Sequence, residues 1–158
     1  MRSSGPRPPA PVAPTEPLPR TGSTTIRVRY CECDPMGVAH HAAYIPWLEI
    51  ARTEMLRGEG DGGLTYAQME AVGLFLVITK LDIQFKRPAR YDDIVRIDTT
   101  VSGGGRARLD HAYTAHRVTN DPATNNELLV TATTTLACVD ASGRPSALPD
   151  WLRADSHR

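Results

Sequence analysis

Residues 30–44 read YCECDPMGVAHHAAY, and this stretch sets a carboxylate between an extended segment and a helix. Asp34 is followed by Pro35 and Gly37, which favour a turn. Upstream, Thr24–Cys31 alternates Ile26, Val28 and Tyr30 with Arg27, Arg29 and Cys31, the period of a strand with one buried face. Downstream, Tyr44, Trp47, Leu48, Ala51 and Met55 recur at helical spacing. A carboxylate at this junction lies beside backbone N–H groups that have no intrahelical acceptor. Such groups can hold a developing negative charge, so the pattern suits chemistry on a carbonyl.

Outward from the turn, the spacing predicts a helix from about Ala42 to Arg57. Ile45, Ile50 and Leu56 extend its apolar surface beyond one face, so it should be wrapped by other structure. Gly58, Gly60 and Gly63 fit G-x-G-x-x-G, but here they close a helix and read as a flexible stop. A dinucleotide fingerprint must follow a strand and open a helix. A short helix is expected around Thr65–Val72. From Leu74 the period changes to two, with Leu81, Ile83 and Phe85, then Val95, Ile97, Thr99 and Val101. Arg106–Val118 and Leu128–Val139 are rich in Thr, Val and Leu, and Gly103-Gly104-Gly105 and Asn120-Asp121-Pro122 are expected to mark turns. One strand, then helices, then four hairpin-connected strands predicts an α+β fold. Its curved, largely antiparallel sheet of about five strands would enclose the long helix.

Composition narrows the function classes. A chain of 158 residues reads as one folded domain, burying roughly 70% of its unfolded surface. Eighteen basic residues balance eighteen acidic ones, which argues against nucleic acid or anionic membrane as a partner. No apolar run approaches the roughly 18 residues of a membrane span, and the N-terminus lacks the apolar core of a secretion signal. No membrane insertion and a cytoplasmic location are expected. Residues 1–22 hold seven prolines and are read as a disordered tail, with the folded domain at 23–158. Cys31, Cys33, His40 and His41 could form a metal set, yet C-x-C is tighter than the usual ligand spacing. Small thiols filling a strand fit better, and no metal is expected.

Tyr30, then Asp34-Pro35-x-Gly37-x-x-x-His41-x-x-Tyr44 running into WLEIARTEML, resembles the signature of the hotdog-fold acyl-CoA thioesterases. The likeness is to the 4-hydroxybenzoyl-CoA thioesterase group and its relatives encoded with the Tol-Pal envelope genes. Phe85-Lys86-Arg87-Pro88-Ala89-Arg90-Tyr91-Asp92-Asp93 is similar to that family's strand–turn segment, and the resemblance runs from about Ile26 to Leu148. It implies a hotdog fold, a homodimer or homotetramer, and hydrolysis of an acyl-CoA to a free acid and CoA. No cofactor is implied, since coenzyme A is part of the substrate.

The resemblance also assigns roles. Asp34 would be the catalytic carboxylate, acting as nucleophile or as general base. The His41 backbone N–H would line an oxyanion hole, the Tyr30 hydroxyl would orient toward Asp34, and Glu49 sits where the family often has an acid. His40 has no matching role. The CoA phosphates need cations, for which Lys86, Arg87, Arg90, Arg106 and Arg108 are candidates. Blander readings stand beside these: a turn cap for Asp34, local hydrogen bonding for His41, a surface salt bridge for Glu49. A Cys33–His41 pair satisfies the Asp-Pro context less well, and no G-x-S-x-G elbow exists. A noncatalytic acyl-CoA-binding or regulatory hotdog protein is the alternative from another class.

Overall fold

A short first strand, β1 (Thr21–Arg27), alternates exposed and half-buried residues and lies along the long helix α1 (Tyr44–Arg57). The computed structural model describes residues 13–14, 17–58 and 63–154. Residues 1–12 and 15–16, most of the expected tail, lie outside that description. The boundary expected at residue 22/23 falls inside β1, and Leu18 is already buried against the core. At Gly22 the strand passes so close to α1 that a Cβ would stand 2.8 Å from Met55 Cβ. Any side chain at position 22 must displace the helix or Met55.

After α1 come a short helix α2 (Tyr66–Ala71) and strands β2 (Phe75–Phe85), β3 (Ile94–Gly105), β4 (Arg108–Val118) and β5 (Leu128–Val139). Thr65 and Gln68 cap α2 reciprocally through side chain and backbone. Gly58 ends α1 with φ 64, the left-handed stop glycine supplies at least cost; residues 59–62, including Gly60, lie outside the description.

The sheet runs β1-β3-β4-β5-β2, each neighbouring pair antiparallel. Two expectations need correction. β2 and β3 form no hairpin: β2 pairs with β5 at the far edge, and residues 86–93 carry the chain across to β3. The Gly103–Gly105 run is not the turn but the end of β3, paired with Asp110, Leu109 and Arg108 across a two-residue turn at Arg106–Ala107.

Apolar side chains collect in two clusters at opposite ends of α1. One gathers Val28, Tyr44, Trp47, Leu48, Ile97 and Leu129. The other gathers Leu18, Leu56, Met69, Leu74, Leu109 and Leu148. Ile45 and Ile50 are about two-fifths exposed, so the helix is enclosed less completely than its composition predicts. Arg52, Thr99, His111 and Thr134 are buried polar residues of the same interior.

His111 carries a cost at low pH. Burial first, and the Arg52 charge second, push its imidazole down to about 4 from an ordinary 6.5. The folded protein holds it neutral, whereas the unfolded chain takes up a proton near the ordinary value. Its contribution to stability is therefore complete above about pH 6.5 and is lost as pH falls toward 4, a difference on the order of 3 kcal/mol. A His111→Leu variant should show a flatter melting profile across that window than the parent. Parallel acid limbs in the two proteins would remove His111 as the cause.

Candidate active site

Asp34 occupies the loop between β1 and α1, and local bonds explain its conformation. The strand ends at Arg27. Residues Tyr30–Glu32 wind into a 3-10 turn, so the expected extension of the strand to Cys31 is corrected. Asp34, Pro35, Met36 and Gly37 form a β-turn in which the Gly37 N–H donates to the Asp34 carbonyl at 2.9 Å. Proline second and glycine fourth suit that turn, and Gly37 sits at φ 75. The Met36 N–H donates to Asp34 Oδ1 at 2.8 Å. One carboxylate oxygen thus caps the turn, and no bond to Oδ2 is made among the described residues.

The turn is fastened from several sides. The Asp34 N–H donates to the Val38 carbonyl, the Ala39 N–H to the Ala89 carbonyl, and the His40 N–H to the Glu32 carbonyl, at 2.8–2.9 Å. Glu32 is the residue that sequence reasoning missed. It is buried, and its carboxylate accepts from Trp47 Nε1 at 2.9 Å, Arg29 Nη2 at 2.7 Å and the Arg29 N–H at 2.8 Å. Burial alone would raise its pKa, but these hydrogen bonds together outweigh it and hold the carboxyl below its ordinary range. One side chain therefore ties the loop to α1.

His41 opens a 3-10 turn, His41–Ala43, that runs directly into α1. His40 Nδ1 accepts from the Ala42 N–H at 3.1 Å, and the His40 carbonyl accepts from the Ala43 N–H. His40, expected to have no role, is the cap of this turn. The His41 N–H is left without an acceptor among the described residues, at the start of the helix where the backbone dipole favours negative charge. His41 borders a cavity of about 280 Å³ together with Val38, Ala39, Tyr44, Phe85, Lys86, Arg87 and Pro88.

Phe85, Lys86, Arg87 and Pro88, which complete the lining, begin residues 85–93, the second block of the resemblance. Ala89 is fully buried, and its N–H donates to the Tyr44 hydroxyl at 3.3 Å. Burial pushes that phenol's pKa up. Arg117, which the sequence did not single out, donates to the Pro88 carbonyl at 2.7 Å and pairs with Asp93. Asp93 in turn accepts from the Arg90 N–H at 2.8 Å. The acidic pair of the motif thus holds the wall's shape, with Asp92 bonded to Arg27.

The remaining candidates separate. Lys86 and Arg87 line the cavity, and Arg90 bridges to Val38 beside the Asp34 turn. Arg106 and Arg108 lie at the other end of the sheet: Arg108 and Val77 both pair with Ala137, whereas Phe85 pairs with Val130. Eight strand residues separate these positions, on the order of 25 Å. Tyr30 is 80% exposed, with its ring edge-to-face on Tyr91 at 5.6 Å and no hydrogen bond to Asp34. Its expected orientation toward the carboxylate therefore has no hydrogen bond behind it in this structure. Glu49 is exposed and paired with Arg52 at 3.0 Å, the salt bridge foreseen as its bland reading. Among the described residues no three His, Cys, Asp or Glu side chains gather as a metal-ligand set. Cys31 is exposed instead of filling a strand.

The turn that carries Asp34, the unpartnered His41 N–H and the cavity lined by Lys86 and Arg87 lie in one region of the molecule. The thioesterase-like superfamily model matches residues 28–155. The chain belongs to that superfamily. It is 32% identical over 134 residues to the putative acyl-CoA thioesterase YneP of Bacillus subtilis, covering 82% of this chain and 91% of that protein. The acyl-CoA thioester hydrolase YbgC of Escherichia coli is also 32% identical, over 131 residues and the same shares. Among solved structures, DHNA-CoA thioesterase from Staphylococcus aureus superposes with a TM-score of 0.72 at 30% identity. That match covers 81% of this chain and 80% of the other. The five-stranded antiparallel sheet and its long helix are the hotdog arrangement of these neighbours.

Proposed function

We propose that this protein hydrolyses acyl-CoA thioesters to a free carboxylic acid and CoA. The observation that carries the reading is the unpartnered His41 N–H, at the start of the 3-10 turn that leads into α1, in a residue that borders the 280 Å³ cavity together with Val38, the acceptor of the Asp34 N–H. The thioester carbonyl would accept from that N–H, placing its developing oxyanion at the positive end of the helix. Asp34 then acts by one of two routes. Its free oxygen attacks the carbonyl carbon, the C–S bond breaks, CoA leaves as thiolate, and water hydrolyses the anhydride. Alternatively Asp34 takes a proton from a water that makes the same attack. A thiol of pKa near 8.5 leaves readily, so neither route needs a strong general acid, a metal or a cofactor. Release of CoA, followed with a thiol-trapping dye over a panel of aliphatic and aromatic acyl-CoAs, tests the reading. Binding of acyl-CoA with no turnover across the panel would favour the noncatalytic alternative.

The acyl group enters past Phe85 and Tyr44, whose rings stand edge-to-face at 5.3 Å, and the phosphates lie on Lys86, Arg87 and Arg90. Charge reversal at Lys86 and Arg87 should raise KM for acyl-CoA by about tenfold or more, the loss of one or two charge-assisted hydrogen bonds. KM for the matching acyl-pantetheine thioester, which lacks the nucleotide, should change little. Equal effects on both substrates would take these residues off the phosphate site.

The acting species in this proposal is a homodimer. β1 and β2 are the two sheet edges, and β2 leaves Val77, Ile78 and Phe85 exposed. An unpaired apolar edge is a site for strand addition, and pairing β2 with its copy would close the Phe85 side of the cavity. Light scattering should give twice the chain mass at assay concentration; a fully active monomer would overturn this. A cytoplasmic setting is part of the same proposal, in keeping with the free thiols of Cys31, Cys33 and Cys138. No helix among the described residues is long and apolar enough to cross a membrane.

A further inference from the structure

Beyond the candidate active site, a second cavity lies near the C-terminal half of α1. It is bordered by Leu18, Met55, Tyr66, Leu109 and Trp151, with Arg52 and His111 as its buried polar residues. Arg52 is 5% exposed and His111 3%. Arg52 gives Nη2 to Glu49, and its guanidinium carbon lies 5.9 Å from the Tyr66 ring centre, yet Arg52 Nε finds no acceptor. His111 Nδ1 is also without a partner. Buried polar groups are normally satisfied, and here the two residues that carry the unsatisfied atoms line the same small space. We propose that this cavity is a binding site for a compact monovalent anion of chloride size, held by Arg52 Nε–H and His111 Nδ1–H.

Charge selects the sign of the ligand. Arg52 on α1 is the buried cation, and its carboxylate partner Glu49 has a side chain 58% exposed, so solvent weakens its counter-charge at the cavity. Asp110, next to His111 on β4, is paired with Arg108. The Tyr113 hydroxyl is bonded to Thr134, and Tyr66 is neutral in the ordinary pH range. The positive potential left by Arg52 disfavours protonation of His111. A neutral imidazole can still carry its one proton on Nδ1 and present a donor. A metal cation would meet like charge here.

Size selects the class. The cavity measures about 20 Å³, close to the minimum that holds one water. A phosphate, a CoA moiety or an acyl chain is too large. The walls beside the two donors are mostly apolar, so a strongly hydrated anion would lose its shell with little in return, whereas chloride or bromide needs only N–H donors and a positive field. The walls include Leu18 before β1 and Trp151 after β5, so an occupant would join both ends of the described chain to α1.

Melting the full chain at pH 7.5 in sodium chloride and in sodium gluconate, at equal ionic strength, tests the proposal. A ligand that binds only the folded state raises the midpoint by mass action, and a shift of about 3 °C or more is expected in chloride. Arg52→Met and His111→Phe should each abolish the difference between the salts, whatever they do to the midpoint itself. Crystals grown in bromide should show an anomalous peak between Arg52 and His111, a readout independent of whether either variant folds. Equal midpoints in the two salts, a chloride effect that survives in both variants, or a peak without anomalous signal (a water only) would each overturn the site. None of these measurements depends on thioesterase activity.

Discussion

Asp34→Asn is expected to lower kcat for acyl-CoA hydrolysis by roughly 10²–10⁴-fold, the usual loss when a positioned acid–base group is removed. Binding and melting temperature should change little. Asn keeps the oxygen that accepts from the Met36 N–H at 2.8 Å, and the backbone bonds from Asp34 to Val38 and from Gly37 to Asp34 do not involve the side chain. The substitution therefore separates the cap, which it preserves, from the charge and basicity, which it removes. Activity that survives in a protein destabilised by the change would reduce Asp34 to a turn residue. If the carboxylate proves essential, a single turnover in ¹⁸O-water tests for the anhydride. Label in Asp34 marks it, whereas label confined to the released acid leaves the base route open, because water can also open an anhydride on its acyl side.

The elements that could be read from sequence were those whose pattern is local. The helix over Tyr44–Arg57 and the strand Leu128–Val139 follow from side-chain periodicity, because burial on one face repeats at 3.6 or at two residues. The crossing from β2 to β3 could not be read in this way, since nothing in residues 86–93 states which strand β2 will pair with. That pairing places Lys86 at the cavity and Arg106 at the opposite end, although all five cationic candidates looked equivalent in sequence. Tyr30 misled for a different reason. Its alternation with Val28 is real, but Glu32 reaches back to the Arg29 N–H and winds the chain into a 3-10 turn, so the two-residue period stops before Tyr30. The Asp34 turn was legible because proline and glycine carry their backbone preferences wherever they occur. The His41 N–H was legible only through the resemblance, and its lack of an acceptor required coordinates.

Glu32→Ala should damage both the fold and the rate, because the same carboxylate serves both. It is 8% exposed and accepts the Trp47 indole N–H from within the core. Leaving that donor unpaired costs about 1–3 kcal/mol, or several degrees of melting temperature for a chain of this size. The Arg29 partner adds less, since its side chain is 68% exposed and solvent screens the pair. The rate should fall as well. The Glu32 carbonyl accepts the His40 N–H while its side chain grips α1 through Trp47, so releasing the grip lets the Asp34 turn shift against the His41 N–H. A displacement near 1 Å can cost on the order of 10²-fold. Trp47→Phe keeps most of the packing but removes the N–H, and it should reproduce a smaller part of both losses. Arg29→Met, which removes only the exposed partner, should be mild in both. Because the Glu32 carboxyl is held below its ordinary range, its stabilisation is present above the usual carboxylate pKa and fades only as pH falls below it. At neutral pH the comparison between the three variants is therefore free of titration of Glu32. A Glu32→Ala protein that melts early yet retains full kcat would show that the carboxylate holds the core without positioning the catalytic turn.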